Sequence, residues 1–422
     1  MRLPHRFLPS TLALAIGGLS ASSVFAAQID TWNLGNIEVG TVADADGNLF
    51  SDIYDKSTPD STASTSGYIK WAPPEGDTPG LKVLNSDPKP TDTGVNGAVD
   101  NCIMAAGEAT CNGPRQSGKR FKMDQTSTGA IDLVFDLSTS SLTEPNDGLY
   151  KVFQKYGNNT DSALSGFNIG LGFGIGDDFG ASTEADGLKF VNFGDTAQPN
   201  QFSSLFASGL FGDKTEDRPD TLRGYFSGER SGFNLSLVSE DLFQSTGLFG
   251  GDYGYEALFG DWLSYSLVPD GYFYDDDGDA ATDAVLMAHF DNSSGKWIMN
   301  RALDEDGNIL TTAEGNEGER YDSAEDVERA LVEQATNVTL AACPDTPPAN
   351  PVACLAGVGE IEDLAKFNVT YFIDPVSFDA SNQNTFTLRT SAFARAVPEP
   401  GVLALLATGL GILGASRRRS RR

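Results

Sequence analysis

The chain has 422 residues, with 59 acidic side chains against 29 basic ones and a formal net charge of −30. A field of that sign repels nucleic acid and anionic lipid, so no nucleic-acid partner is expected. A hydrophobic content of 40%, including 26 Phe, suffices for a folded core and excludes wholesale disorder.

Residues 1–26 read MRLPHRFLPSTLALAIGGLSASSVFA. Arg2 and Arg6 give a basic start, LALAIGGL a short apolar stretch, and Val24 and Ala26 the small residues that precede a cut between Ala26 and Ala27. This is the pattern of a secretory signal peptide. The apolar run is too short for a membrane helix, and neither a lipoprotein cysteine nor a twin-arginine pair accompanies it. The exported body is then expected over 27–396.

Within the body, DADGNLFSD places Asp44, Asp46, Asn48 and Asp52 at alternating positions. The same odd spacing recurs in DDDGDAATD as Asp275, Asp277, Asp279 and Asp283, while DEDGN over 304–308 repeats only its first half. Carboxylates spaced this way in a tight loop can surround a hard cation, so Ca2+ is expected at 275–283 and, with less support, at 44–52. The competing reading is an ordinary hairpin turn, which Asp-Gly and Gly-Asn also favour. DEDGN is expected to be only that.

The polar stretch 85–127 reads as a long loop and carries Cys102 and Cys111. Cys343 and Cys354 form a second local pair. An even count in an oxidising compartment predicts two short-loop disulfides, 102–111 and 343–354.

Strands are expected over 130–137, 149–156, 167–176, 188–193, 233–238, 284–290, 296–303, 367–373 and 385–394, from short runs rich in Val, Ile, Thr and aromatics. In GLGFGIG the glycines at 170, 172, 174 and 176 alternate strictly, so the sixth position of a dinucleotide loop is not glycine. The alternation instead leaves one strand face bare for a backbone or a large ring, with Ile169 and Leu171 on the other. One helix is expected over 322–337, capped by Ser323 or Asp322, with Val327, Ala330, Leu331 and Gln334 along one stripe. Residues 315–362 read as an insertion around it. The fold class that follows is mainly β: an antiparallel, jelly-roll-like β-sandwich with long loops and one short helical insertion.

The chain ends VPEPGVLALLATGLGILGASRRRSRR. Residues 401–415 are apolar or small throughout, and Arg417, Arg418, Arg419, Arg421 and Arg422 follow. As a helix the run would reach about 22 Å, and it needs a locally thinned bilayer to span. Val397, Pro398, Glu399 and Pro400, the apolar run and the arginines together resemble the PEP-CTERM sorting signal of Gram-negative bacteria. The resemblance implies transient residence in the inner membrane, processing by an exosortase over 397–422, and delivery to the cell surface or exopolysaccharide matrix. The body is also similar, through WNLGNIEV, YKVFQKYGNNTDSALSGFNIGLGFG, FGDWLSYSLVPDGYFYDDDGDAATDAVLMAHFD and FTLRTSAFA, to the choice-of-anchor F group of surface proteins. That likeness implies location more than chemistry.

Catalytic signals are sparse. Of the two His, His5 lies in the leader and His289 stands alone in LMAHFDN, with no G-x-S-x-G elbow around a serine. No catalytic residue and no organic cofactor is assigned. A carboxylate pair for glycoside hydrolysis needs only two of many acids. The leading expectation is a non-enzymatic surface or matrix protein. The alternatives are a glycan-binding module and a secreted carbohydrate-active hydrolase. Trp32, Trp71, Trp262 and Trp297 could serve glycan stacking but are expected in the core.

Overall fold

A computed structural model describes residues 26–73, 78–85, 101–111, 117–140, 148–191, 211–212, 226–227, 235–245, 261–279, 284–310, 318–344, 346, 349–380 and 383–394. The leader, the sorting signal with its apolar run, and Asp283 lie outside these residues. Among the described residues no helix is long and apolar enough to cross a membrane.

Two sheets face each other across one core. Sheet I runs in the order Ala26–Trp32, Ala130–Ser140, Thr385–Phe393, Gly166–Phe173, Leu242–Ser245, Leu235–Ser239, with every neighbouring pair antiparallel. Sheet II runs Lys189–Phe190, Lys366–Asp374, Tyr150–Asn158, Phe121–Gln125, Thr65–Trp71, Leu49–Tyr54, Ile37–Val39. Period-two alternation sends one face of each strand inward. Ile131, Leu133 and Phe135 of sheet I meet Val152, Phe367, Val369 and Tyr371 of sheet II in a single cluster. The chain is thus a mainly antiparallel β-sandwich, as its strand pattern implied.

The bare glycine face of Gly166–Phe173 is used as expected. A Cβ on Gly172 would lie 2.6 Å from the Phe179 ring and 2.2 Å from the Gly180 carbonyl. Phe179 in turn stacks on the Arg389 guanidinium at 3.9 Å. Arg389 grips buried Asp132 with two bonds, Nε to Oδ1 at 2.6 Å and Nη2 to Oδ2 at 2.7 Å. The Gly176 amide donates to the same carboxylate at 2.8 Å, and its carbonyl accepts from Arg389. One ion pair therefore ties two central strands of sheet I to the loop after Phe173.

Sheet III, in the order Arg320–Tyr321, Lys296–Met299, Val285–Asp291, Asp270–Asp275, Cys354–Glu360, is a separate five-stranded unit. The helix Ala324–Gln334 covers it, burying Val327 and Leu331 against Trp297, Met299 and Leu355. Ser323 caps the helix by accepting from the Asp326 amide at 3.2 Å. Asp270–Asp275 shares this sheet with part of the stretch 315–362, because that strand pairs with Cys354–Glu360 along its whole length. The opposite face of the unit joins the main core through Leu286 and Ile361.

The long loop expected over 85–127 is also interrupted by structure. Asn101–Ala105 and Phe121–Gln125 both pair, in parallel, with successive halves of Tyr150–Asn158. Cys102 is bonded to Cys111 and Cys343 to Cys354, with Cα separations of 5.7 and 4.9 Å. Both local disulfides are those the spacing predicted.

Candidate functional site

The Asp-rich loops separate into two kinds. In 44–48 the Asp44 carboxylate is filled from within: Oδ1 accepts from the Asp46 amide at 3.0 Å and the Asn48 amide at 2.7 Å, and Oδ2 from Asn48 Nδ2 at 3.0 Å. Those bonds, the Asn48 side chain foremost, hold its carboxyl below the usual range. Asp304 is filled in the same way by Asp306 and Asn308. Gly47 and Gly307 take the left-handed φ of 83° and 82° that both turns require. These are twin hairpin turns. Asp52 is not brought to the first of them. It stands on Leu49–Tyr54, with Glu38 and Tyr68 as its cross-strand partners.

The loop after Tyr274 differs. Carboxylate oxygens of Asp275, Asp276 and Asp277 lie within 4.8 Å of one another, and Asp275 is equally close to the sulfurs of Cys343 and Cys354. Asp275 Oδ1 accepts from the Gly278 amide at 2.7 Å, and Asp277 Oδ1 from the Asp279 amide at 3.0 Å. Burial raises the Asp275 carboxyl above its ordinary range, and the charge of Asp277 adds to the rise. Gly278, at φ 62°, packs against the Val352 backbone, where a Cβ would come within 2.2 Å of its carbonyl oxygen. The convergent trio thus includes Asp276, which the odd spacing passes over, and does not include Asp279.

His289 is buried on Val285–Asp291, its Nδ1 2.8 Å from Asn300 Oδ1. Burial pushes its imidazolium below the ordinary pKa. Trp32, Trp262 and Trp297 are core residues. Trp71 is half-buried and donates from Nε1 to Ser51 Oγ at 3.1 Å.

A third arrangement has no sequence motif. On the outer face of sheet II, Glu38, Asp52, Tyr68, Asp124, Gly157 and Lys366 are successive cross-strand partners over six strands. Asp124 is nearly enclosed, and burial raises its carboxyl despite Lys70, Lys366, Lys155 and a hydrogen bond with Tyr68. Gly157 makes room for it, since a Cβ there would sit 2.1 Å from Asp124 Oδ1. Asn159 Nδ2 donates to the Tyr68 hydroxyl at 2.7 Å, and Tyr54 donates to Glu38 at 3.0 Å. Burial, then Glu38, raises Asp52. Phe50 meets Tyr68 edge to face at 5.0 Å. Acceptors, donors and a ring edge are thus offered along one line. Asp52 and Asp124 are two strand spacings apart, about 10 Å between backbones. No periodicity reveals such a row, because its members come from positions as distant as 38 and 366 and only the register aligns them.

Comparison with known proteins gives no matching family model, no matching curated protein and no matching solved structure for this chain.

Proposed function

We propose that this is an exported, non-enzymatic surface or matrix protein of a Gram-negative bacterium, trimmed by an exosortase at its Pro-Glu-Pro segment. The observation that carries the reading is the ordered set of signals around the body: a leader up to Ala26, then Val397–Pro400, the apolar run and the arginines. The fold supports it in two ways. The strand Thr385–Phe393, the last one described, lies inside sheet I between two partners, so the sandwich incorporates the chain up to just before the Val397–Pro400 signal. Two disulfides suit an oxidising compartment. In a host with the matching protease, Pro398→Ala combined with Glu399→Ala should leave the full-length chain in the inner membrane. Recovery of the double variant outside the cell with a normally trimmed end would overturn the reading.

The body is further proposed to be steadied by calcium at Asp275, Asp276 and Asp277. Oxygen ligands within 4.8 Å of each other fit a hard cation, which would offset the burial and the neighbouring Asp277 charge that raise Asp275. Chelation should then lower the melting temperature and calcium restore it, by mass action on the folded state. Asp275→Asn with Asp277→Asn should remove most of that difference. Identical melting curves of the parent in chelator and in excess calcium would sink the site.

A glycan-binding role is the second reading, and the outer-face row favours it. Carboxylates, Asn159, Tyr68 and the Phe50 ring supply the acceptors, donors and apolar edge that a polyhydroxylated ligand uses.

A further inference from the structure

The outer face of sheet II changes character away from Asp124. Lys122, Lys155 and Asn368 are cross-strand partners in the next row. Two residues further along, Phe153 pairs with Thr370, and beyond them Cys102, Lys151 and Phe372 align. Arg120 precedes inward-facing Phe121 and so belongs to this outer face. An acidic chain therefore gathers basic side chains on one surface, and at one end of it they are buried. Relative exposure is 4% for Lys119, 7% for Arg120 and 6% for Lys151.

These cations have unequal partners. Lys119 Nζ donates to the Thr110 carbonyl at 2.5 Å and lies 3.9 Å from Glu108. Lys151 Nζ stands over the rings of Phe153 and Phe372, at 5.1 and 5.8 Å, and among the described residues no carboxylate pairs with it. Burial first, then the charges of Arg120 and Lys119, pulls the Lys151 ammonium down to about 8. It is still protonated at neutral pH, beside two like charges. Thr370, diagonal to Lys151 across the strand pair, is buried, and its Oγ1 makes no hydrogen bond among the described residues. Buried ammonium groups and hydroxyls are costly to leave in this state, and a bound group that accepts from both relieves the cost.

We propose that Lys151, with Lys119, Arg120 and the Thr370 hydroxyl, forms a binding site for an oxyanion: a carboxylate, sulfate or phosphate group. Lys151 supplies the charge, its two cationic neighbours the local field, and Thr370 a neutral donor, while Phe153 and Phe372 exclude water from one side. Such a group reaches the site either as a free ion or on an acidic glycan, and the two sources share this chemistry.

The test uses the full exported protein and inorganic sulfate, at constant ionic strength set with chloride. Sulfate should raise the melting temperature along a saturating curve, and Lys151→Met should weaken the apparent affinity at least about tenfold, the loss of one charge-assisted contact. Lys151→Arg should retain binding and Thr370→Val should weaken it. If Lys151→Met does not fold, amine-directed labelling of the parent decides: sulfate should protect Lys151 and chloride should not. Equal sulfate dependence in parent and Lys151→Met, or equal labelling in the two salts, overturns the site. Oligomeric glucuronate binding more tightly than the monomer would assign the anion to a glycan. Equal binding of the two would assign it to a free ion, and either result supports the site.

Discussion

Replacing Arg389 with alanine is expected to destabilise the body by about 3–5 kcal/mol, the usual consequence of stranding one member of a buried ion pair. Asp132 is only 2% exposed and would keep the Gly176 amide as its one remaining hydrogen-bond donor among those described above. The same change strips the Phe179 ring of its stacked guanidinium and frees the Gly176 carbonyl. The strands Ala130–Ser140 and Thr385–Phe393 and the loop near Gly176 should therefore loosen together. Denaturant melts of Arg389→Ala and of the double variant Asp132→Leu with Arg389→Met check this, since removing both charges avoids the stranded carboxylate. The double variant should recover much of the loss. A single-variant loss below about 1 kcal/mol would mean that the pair behaves like a surface ion pair.

Trp262→Ala is the other change with a large expected cost, again about 3–5 kcal/mol. The indole is fully enclosed among Tyr156, Phe167 and Phe367, with ring centroids at 5.0, 6.2 and 4.8 Å. Its Nε1 donates to the Ala365 carbonyl at 2.9 Å. Its own carbonyl accepts from the Leu164 amide at 2.8 Å and from Asn158 Nδ2 at 2.9 Å. Trp262 thus pins the segment leading into sheet III onto the end of the sandwich. Trp262→Phe keeps most of the ring contact and leaves the Ala365 carbonyl its other donor, the Asn158 amide at 2.8 Å, so a smaller loss of about 0.5–1.5 kcal/mol is expected. Calorimetry of both variants separates the packing and hydrogen-bond contributions. Equal losses would show that the indole N–H, rather than ring volume, dominates.

Much of the sandwich was legible in the sequence where strands carry long apolar alternation. Ala130–Ser140, Tyr150–Asn158, Lys366–Asp374 and Thr385–Phe393 all fall where that pattern places them. The strands that escaped are short or polar. Phe121–Gln125 reads FKMDQ, and its Asp124 and Gln125 are buried by neighbours that the sequence does not place nearby. Asn101–Ala105 is buried on both faces and therefore has no alternation to read. The twin turns at 44–48 and 304–308 show why Asp spacing alone is ambiguous. The same Asp-x-Asp-Gly-Asn pattern fills its first carboxylate with its own amides. At 275–277 the deciding feature is convergence beside the second disulfide, a tertiary fact. The outer-face row and the Lys151 corner depend wholly on register, which period-two patterns fix only face by face.

The most direct test of the central claim is the intact mass of the protein recovered outside a host that carries the matching exosortase. The account predicts a chain that begins at Ala27, ends near 397–400, and is lighter by the four hydrogens of two disulfides. A chain that reaches the exterior with residues 401–422 still attached, or one retained in the cytoplasm with its leader uncut, would contradict it.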